Sequence, residues 1–496
     1  MISQDLASHT AARLDGEGSL YKRVALRISE LIEHGTLRPG ERVPSVRRCS
    51  EQQNVSIATV MQAYRLLEDR GFIEARPQSG YYVRLKRWSP TVPEPAKSKT
   101  SHAPTSVRVS ELVMQVVKVA RDPKLIRLGA TLPSPELFPI KELNRTMASV
   151  GRRWPVAAHS YDSPPGNHAL RVQVARRALE AGCTLSPDDI ITTVGATEAL
   201  NLCLRAVANP GDVIAIECPT FFGILQIIES LGMRVCEVPT YPRDGICLDE
   251  LEERLKQCRI KACVFTLNFS NPLGSCMPDA KKQKLVEMLS EREIPLIEDD
   301  LYGNLSFSNV RPKSAKAFDR DGWVLLCDSF TKTLSPGYRV GWVAPGRFKE
   351  KVEFLKFVNS AATASLPQMA IAEFLQNGGF DHHLRKIRRF YAAQMQRMGD
   401  ALARYFPEGT KVTRPNGGMC LWIELPPNVD SLAVYRQALA ENISIAPGPL
   451  FSAKRKFPNF IRLNFGNPWS DAIENAVRRL GELVRTKAVE TNGRSG

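Results

Sequence analysis

Ser329-Phe330-Thr331-Lys332-Thr333-Leu334-Ser335-Pro336-Gly337-Tyr338-Arg339-Val340-Gly341 sets one lysine among small hydroxyl residues, with a Pro-Gly turn and an arginine close behind. The run before it, Trp323-Val324-Leu325-Leu326-Cys327-Asp328, is short and apolar, as a buried strand is. Lys332 is therefore expected at a strand end, in a loop. A lysine becomes a nucleophile when desolvation or cationic neighbours lower its pKa, the condition a Schiff base demands. Ser329 and Arg339 are suited to hold a phosphate, the arginine through a bidentate pair. A single loop lysine is by default a solvated surface residue. The string around this one sets it apart.

Upstream, apolar runs alternate with helical stretches, which predicts an α/β domain with a mainly parallel sheet. Tyr161-Asp162-Ser163-Pro164-Pro165-Gly166 is a turn ahead of a helix. Ile190–Val194 reads as a strand, and Gly195-Ala196-Thr197 leads into a helix over Glu198–Val207. Free N–H groups at a helix start bind phosphate, and a glycine there lets the backbone approach a ligand. The strand Val213–Ile216 leads to Phe221, which either stacks on a planar ring or joins the core. Val264–Leu267 precedes Asn268-Phe269-Ser270-Asn271-Pro272-Leu273-Gly274, and Ile294–Ile297 precedes Glu298-Asp299-Asp300-Leu301-Tyr302. Three adjacent acids at a strand end need partners, because a buried lone charge is costly. A pyridinium nitrogen is such a partner. Downstream, helices are expected from Lys349 to Tyr405, with Arg385–Arg389 as a solvated basic face. Strands follow at Gly417–Leu425, Ser444–Gly448 and Ile461–Phe465, and a frayed tail is expected after about Arg485.

Asn-Pro-x-Gly, Glu-Asp-Asp-x-Tyr and Ser-x-x-Lys-x-x-x-Pro-Gly-x-Arg, in this order and spacing, resemble the fold-type I aminotransferases, which use pyridoxal 5'-phosphate (PLP) and have a large and a small domain. The resemblance implies that Lys332 forms an aldimine with PLP. Asp299 then pairs with the ring nitrogen; it is chosen over Asp300 because the family sets an aspartate three residues before the tyrosine. It further implies that Asn271 and Tyr302 bond the phenolic oxygen, Phe221 stacks on the ring, and Gly195, Ala196, Thr197, Ser329 and Arg339 form the phosphate cradle. Tyr161 matches a tyrosine that reaches the neighbouring subunit's phosphate, which implies a homodimer. Arg462 matches the arginine that clamps a substrate α-carboxylate; the alternative is a structural arginine at a strand edge.

The first ninety residues are different. Leu20–Gly35 has the apolar spacing of an amphipathic helix, Ser45 opens a second helix, and Ser56 caps a third that runs to Asp69. Phe72–Ala75 and Tyr81–Val83 flank a Pro77–Gly80 turn, a hairpin signal. Gly-x-Leu-x-Pro-Gly-x-x-x-Pro-Ser-x-Arg, Ser-x-x-Thr-Val-x-x-Ala-Tyr-x-x-Leu and Ser-Gly-Tyr-Tyr-Val resemble the winged helix-turn-helix of GntR-type regulators. The resemblance implies DNA contacts from Arg47, Ser56, Thr59 and Gly80, with the third helix in the major groove. Ile57 and Met61 stand where many relatives have guanine-reading arginines. For Ile57, contact with a thymine methyl and a core or inter-helix role are both open.

The expected organisation is a winged helix over 18–84, a connector over 85–107 rich in proline and lysine, and a PLP-binding domain over 108–490. Such a chain resembles the MocR-type subfamily end to end. It implies a PLP-binding regulator of a double-stranded DNA operator that senses PLP, or an amine or amino acid, through aldimine exchange at Lys332. The alternative is an active aminotransferase on an α-amino acid. Composition agrees with either. The 496 residues exceed one core, and the net charge of +15 suits a polyanionic partner. The 11 cysteines show neither a disulfide framework nor zinc spacing, so no metal is expected. With neither a leader nor a membrane-spanning run in the sequence, the chain is expected to be cytoplasmic.

Overall fold

The structure, a computed structural model, describes residues 19–33, 36–37, 40–69, 72–76, 79–83, 92–119, 122, 124–162, 164–308 and 310–492. The chain divides into two units, Met1–Ser89 and Pro90–Gly496.

In the first unit, α1 (Leu20–Glu33), α2 (Val46–Gln53) and α3 (Ile57–Asp69) precede the antiparallel hairpin of β1 (Ile73–Arg76) and β2 (Gly80–Val83). Ser45 Oγ caps α2 by accepting from Arg48 N at 3.3 Å, and Ser56 Oγ caps α3 by accepting from Thr59 N at 3.1 Å. Along α3, Val60, Ala63, Tyr64 and Leu67 recur at one helical face and are buried. They pack with Val24, Ala25, Ile28, Val43, Cys49, Ile73 and Val83. The Tyr64 hydroxyl donates to Pro44 O at 2.7 Å and ties α3 to the start of α2. Ile57 and Met61 are 48% and 41% exposed, so a core role for Ile57 is overturned. The expected turn residues Gly35, Pro39, Gly71 and Pro77 lie outside the described residues.

The second unit is built on a mixed sheet. Its strands are β3 (Thr105–Ser106), β5 (Ile191–Thr193), β6 (Val213–Cys218), β7 (Arg234–Tyr241), β8 (Gly245–Ile246), β9 (Ile260–Phe265), β10 (Leu296–Asp299), β11 (Val324–Ser329) and β12 (Gly341–Ala344). The order is β3-β7-β6-β9-β10-β11-β12-β5, with β8 beside β7. The run from β7 to β11 is parallel, and β3, β8 and β12 pair antiparallel. Both sheet faces are covered, which is why these strands read as unbroken apolar runs. Ile214, Val264, Ile297 and Leu325 pack with Ala199, Leu202 and Cys203 of α4 (Gly195–Val207). On the opposite face Ala215, Cys263, Leu296 and Val324 pack with Leu285 and Leu289 of the helix Asp279–Ser290.

The helices α5 (Lys349–Ser360) and α6 (Gly379–Tyr405) lead to a second sheet, ordered β13 (Lys411–Val412), β14 (Cys420–Glu424), β17 (Phe460–Asn464), β16 (Ala446–Pro447). A separate parallel pair joins β4 (Ile126–Arg127) to β15 (Ile443–Ser444). Three expectations change. Gly195–Thr197 is the first turn of α4 rather than a lead-in. The frayed tail after Arg485 is replaced by the end of α7 (Asp471–Asn492), where Asn428 Nδ2 donates to Ala488 O at 2.9 Å. Within the expected connector, residues 92–106 are extended but lie on this unit. There Ser98 Oγ accepts from Thr240 N at 2.9 Å, and Thr100 Oγ1 accepts from Arg254 at 2.6 Å.

Leu67→Ala should destabilise the first unit by about 2–5 kcal/mol, because a small core cannot collapse around the void. Denaturant titration of the full chain checks it; an unmoved first transition would contradict the burial of Leu67.

Candidate functional site

The parallel strands put the ends of β6, β9, β10 and β11 on one edge. Two antiparallel steps, β11 to β12 and β12 to β5, return the end of β5 to that edge, where α4 begins. Chemistry in open α/β sheets gathers outside such carboxyl ends.

Lys332 lies in the turn after β11, only 9% exposed, and its Nζ donates to Thr131 O at 2.6 Å. Burial, with Arg462 beside it, brings its pKa down to about 8, while Asp299 pulls the other way. Asp299 ends β10, and burial raises its carboxyl to about 7 against a hydrogen bond from Leu301 N at 3.4 Å. Its neighbours are otherwise engaged. Asp300 takes Arg311 and Asn268, and Glu298 accepts from Ala315 N at 2.7 Å and Lys316 N at 3.1 Å.

Asn271 links the remaining groups. Its Oδ1 accepts from Arg462 Nη1 at 2.9 Å, and its Nδ2 donates to the Tyr302 hydroxyl and to Thr131 Oγ1, each at 3.4 Å. Burial pushes the Tyr302 phenol well up. Arg462 is buried on β17; its Nη2 donates to Gly129 O, and its Nε is buried without a partner among the described residues. Its guanidinium lies 4.9 Å from the Phe451 ring centroid and 5.8 Å from that of Phe222. Phe221, half-buried, has its ring 4.6 Å from that of Phe222.

At the start of α4, Gly195 has φ 77°, and a Cβ there would stand 2.6 Å from Arg339 Nη2. Arg339, whose Nη2 donates to Val194 O at 3.0 Å, therefore rests where a side chain would be. Ser329, buried, accepts from Thr331 N at 3.3 Å; Ala196 is buried and Thr197 exposed. The structure thus gathers Lys332, Asp299, Asn271, Tyr302 and Arg462, with Gly195, Arg339 and Ser329 at the same sheet edge. Tyr161 is 91% exposed, out in solvent within a single chain.

Sequence reasoning missed Gly129, which acts through its backbone carbonyl, and Thr131, which acts through its carbonyl and its hydroxyl. It also missed Glu198 in the first turn of α4. Although burial pushes the Glu198 carboxyl up, Lys356 and the Val194 N–H outweigh it and hold it below the usual range. Its Oε2 accepts from Val194 N at 2.6 Å and from Lys356 of α5 at 2.8 Å, which fixes the start of α4. An acid in a first helical turn is ordinary, so the only signal was weak. In the first unit, Arg47 is exposed on α2, the hydroxyls of Ser56 and Thr59 meet at 2.8 Å at the start of α3, and Gly80 opens β2 with φ 99°. Among the described residues no helix is long and apolar enough to cross a membrane, and no cluster of metal-ligating side chains occurs.

Residues 148–480 match the family model of aminotransferase class I and II, and residues 20–83 match that of bacterial regulatory proteins of the gntR family. The chain is 39% identical over 474 residues to the HTH-type transcriptional regulator YdcR of Escherichia coli, covering 94% of this chain and 99% of that one. It is 32% identical to a 2-aminoadipate transaminase of Thermus thermophilus, over 75% of this chain and 93% of that enzyme. Among solved structures, kynurenine aminotransferase from Pyrococcus horikoshii superposes with a TM-score of 0.71 at 31% identity, covering 76% of this chain and 95% of that one.

The Asp299 shift has a pH signature. An unfolded carboxyl titrates near 3.8 and the folded one near 7, so its ionisation opposes folding, fully above pH 7 and not at all well below 3.8. Asp299→Asn should therefore raise the melting temperature of the cofactor-free protein, by a margin that grows from pH 4 to 7 and then levels off. A margin independent of pH would contradict the desolvation of this carboxyl.

Proposed function

The chain belongs to the MocR-type branch of the gntR-family regulators, a winged helix joined to an aminotransferase class I and II domain, and on that premise we propose that it is a DNA-binding transcription regulator that holds PLP at Lys332 and senses an amine or amino acid there. The observation that carries the reading is a buried lysine amine, lowered to about 8, beside an acid that lacks a side-chain partner among the described residues.

The residues fit the cofactor. Gly195 leaves room that a Cβ would fill, and the amides of α4's first turn, with Ser329 Oγ and the Arg339 guanidinium, supply donors for a phosphate. When bound, PLP supplies a carbonyl carbon open to amines and an electron-withdrawing ring. Asp299 as carboxylate keeps a proton on the ring nitrogen, and Asn271 and Tyr302 donate to the phenolic oxygen. Phe221 offers a ring face. Lys332 has a free lone pair above about pH 8 and would be the amine that holds PLP, and Thr131 O accepts its Nζ when it is free. Arg462 offers its partnerless Nε to a carboxylate, with Nη groups exchanged from Gly129 O or Asn271. Tyr161, exposed in one chain, is assigned to the site of a second copy in a homodimer, in the cytoplasm. Arg47, Ser56, Thr59 and Gly80 are assigned to DNA. Ligand and DNA must affect one another reciprocally.

Turnover as an aminotransferase is the second reading. It is favoured by the presence of Lys332, Asp299 and Arg462 together, and steady keto-acid production with a keto-acid acceptor would establish it.

Purified protein should bind its own upstream DNA more tightly than a scrambled duplex, and PLP should change that affinity at two salt concentrations. Indifference to both sequence and PLP would overturn the regulator reading. Lys332→Ala should lose both the visible absorption band and the borohydride-trapped PLP adduct; persistence of either would overturn the assignment of Lys332.

A further inference from the structure

A cavity of about 290 Å³ lies between residues 95–99 of the extended segment and the small sheet. Ligand pockets run from roughly 300 to 1,000 Å³, so this one suits a compact molecule rather than a peptide. It is lined by Trp422, Phe457 and Phe460: the Trp422 and Phe460 rings stack at 5.3 Å with 22° between planes, and Phe457 meets Trp422 edge-on at 5.7 Å. Pro219 and Leu273 add to the apolar lining.

The polar lining is biased to one sign. The lining includes Lys97, Lys99 and Lys456 but a single carboxylate, Glu424, whose Oε1 is already held by Lys411 at 2.9 Å. Lys97 pairs with Glu250 at 3.5 Å and Lys456 with the buried Glu237 at 3.4 Å. Lys99 has no ion pair or side-chain hydrogen bond among the described residues, and its backbone carbonyl accepts from Lys456 Nζ at 3.0 Å. An aromatic lining with one unpaired cation calls for an apolar body and one negative charge.

We propose that this cavity is a second small-molecule site, selective for a compact aromatic or apolar molecule bearing one anionic group. The site does not depend on Lys332 carrying a cofactor. An occupant touches two things at once. Ser98, within the wall, donates to Cys218 O at 2.5 Å, three residues before Phe221. Trp422 lies edge-on to Phe451 at 5.1 Å, and Phe451 carries the Arg462 guanidinium at 4.9 Å. These contacts make the cavity a neighbour of the site at Lys332, while neither Lys332 nor Arg462 belongs to its lining.

Calorimetric titration of the full chain with 2-naphthoate tests this, with Lys99→Glu, Arg462→Gln and Lys332→Ala in parallel. The Arg462→Gln variant separates the cavity from carboxylate binding at the first site. Saturable binding is expected, about tenfold weaker in Lys99→Glu and unchanged in the other two. The neutral 2-naphthamide should also bind about threefold more weakly than the acid. Should Lys99→Glu not fold, Lys99→Gln takes its place, with about threefold weakening expected. No saturable binding, equal binding by all variants, or a larger loss in Arg462→Gln than at Lys99 would each overturn the proposal.

Discussion

An amine, a guanidinium and a carboxyl are withdrawn from water together at one sheet edge, and the second unit is arranged to make that tolerable. A buried charge without hydrogen bonds costs several kcal/mol or more. The structure meets this with backbone acceptors and one amide. Thr131 O takes Lys332, Gly129 O takes Arg462, and Asn271 joins Arg462 to Tyr302. What these bonds do not cover is expressed as altered proton affinity, with the lysine lowered and the aspartate raised until the two lie within about a unit of each other. The pair is thereby set near the pH at which protons can move between such groups.

The same constraint explains which acids are which. Glu298, Asp299 and Asp300 are consecutive, yet strand alternation sends them to different surroundings. Asp300 is neutralised by Arg311, and Glu298 is spent on the two backbone amides of Ala315 and Lys316. Only Asp299 is left facing Lys332.

Side-chain identity made part of this legible in advance. Lys332, Arg339, Asp299, Asn271 and Tyr302 stand in strings whose residue types carry their chemistry, and α3 announced itself through the cap residue Ser56. Gly129 and Thr131 were invisible because a carbonyl oxygen is common to every residue. Residues 92–106 looked like a free connector because prolines and lysines make no apolar period, whereas the contacts that hold them are single hydrogen bonds to distant strands. The end of α7 was misread for a related reason: its last turns are polar, and Asn428, far back in the chain, supports them.

The bond from Arg462 to Gly129 O also sets a schedule. The first unit closes its core with Val83, through contacts that are short in sequence and quick to form. The pocket at Lys332 needs a strand that leaves the ribosome 379 residues after Val83. At roughly 5–20 residues per second, that interval is about 20–75 s. During translation each chain therefore holds a finished winged helix for tens of seconds before the cluster around Lys332 is complete, so the order of synthesis puts the winged helix first and the aminotransferase-like unit second.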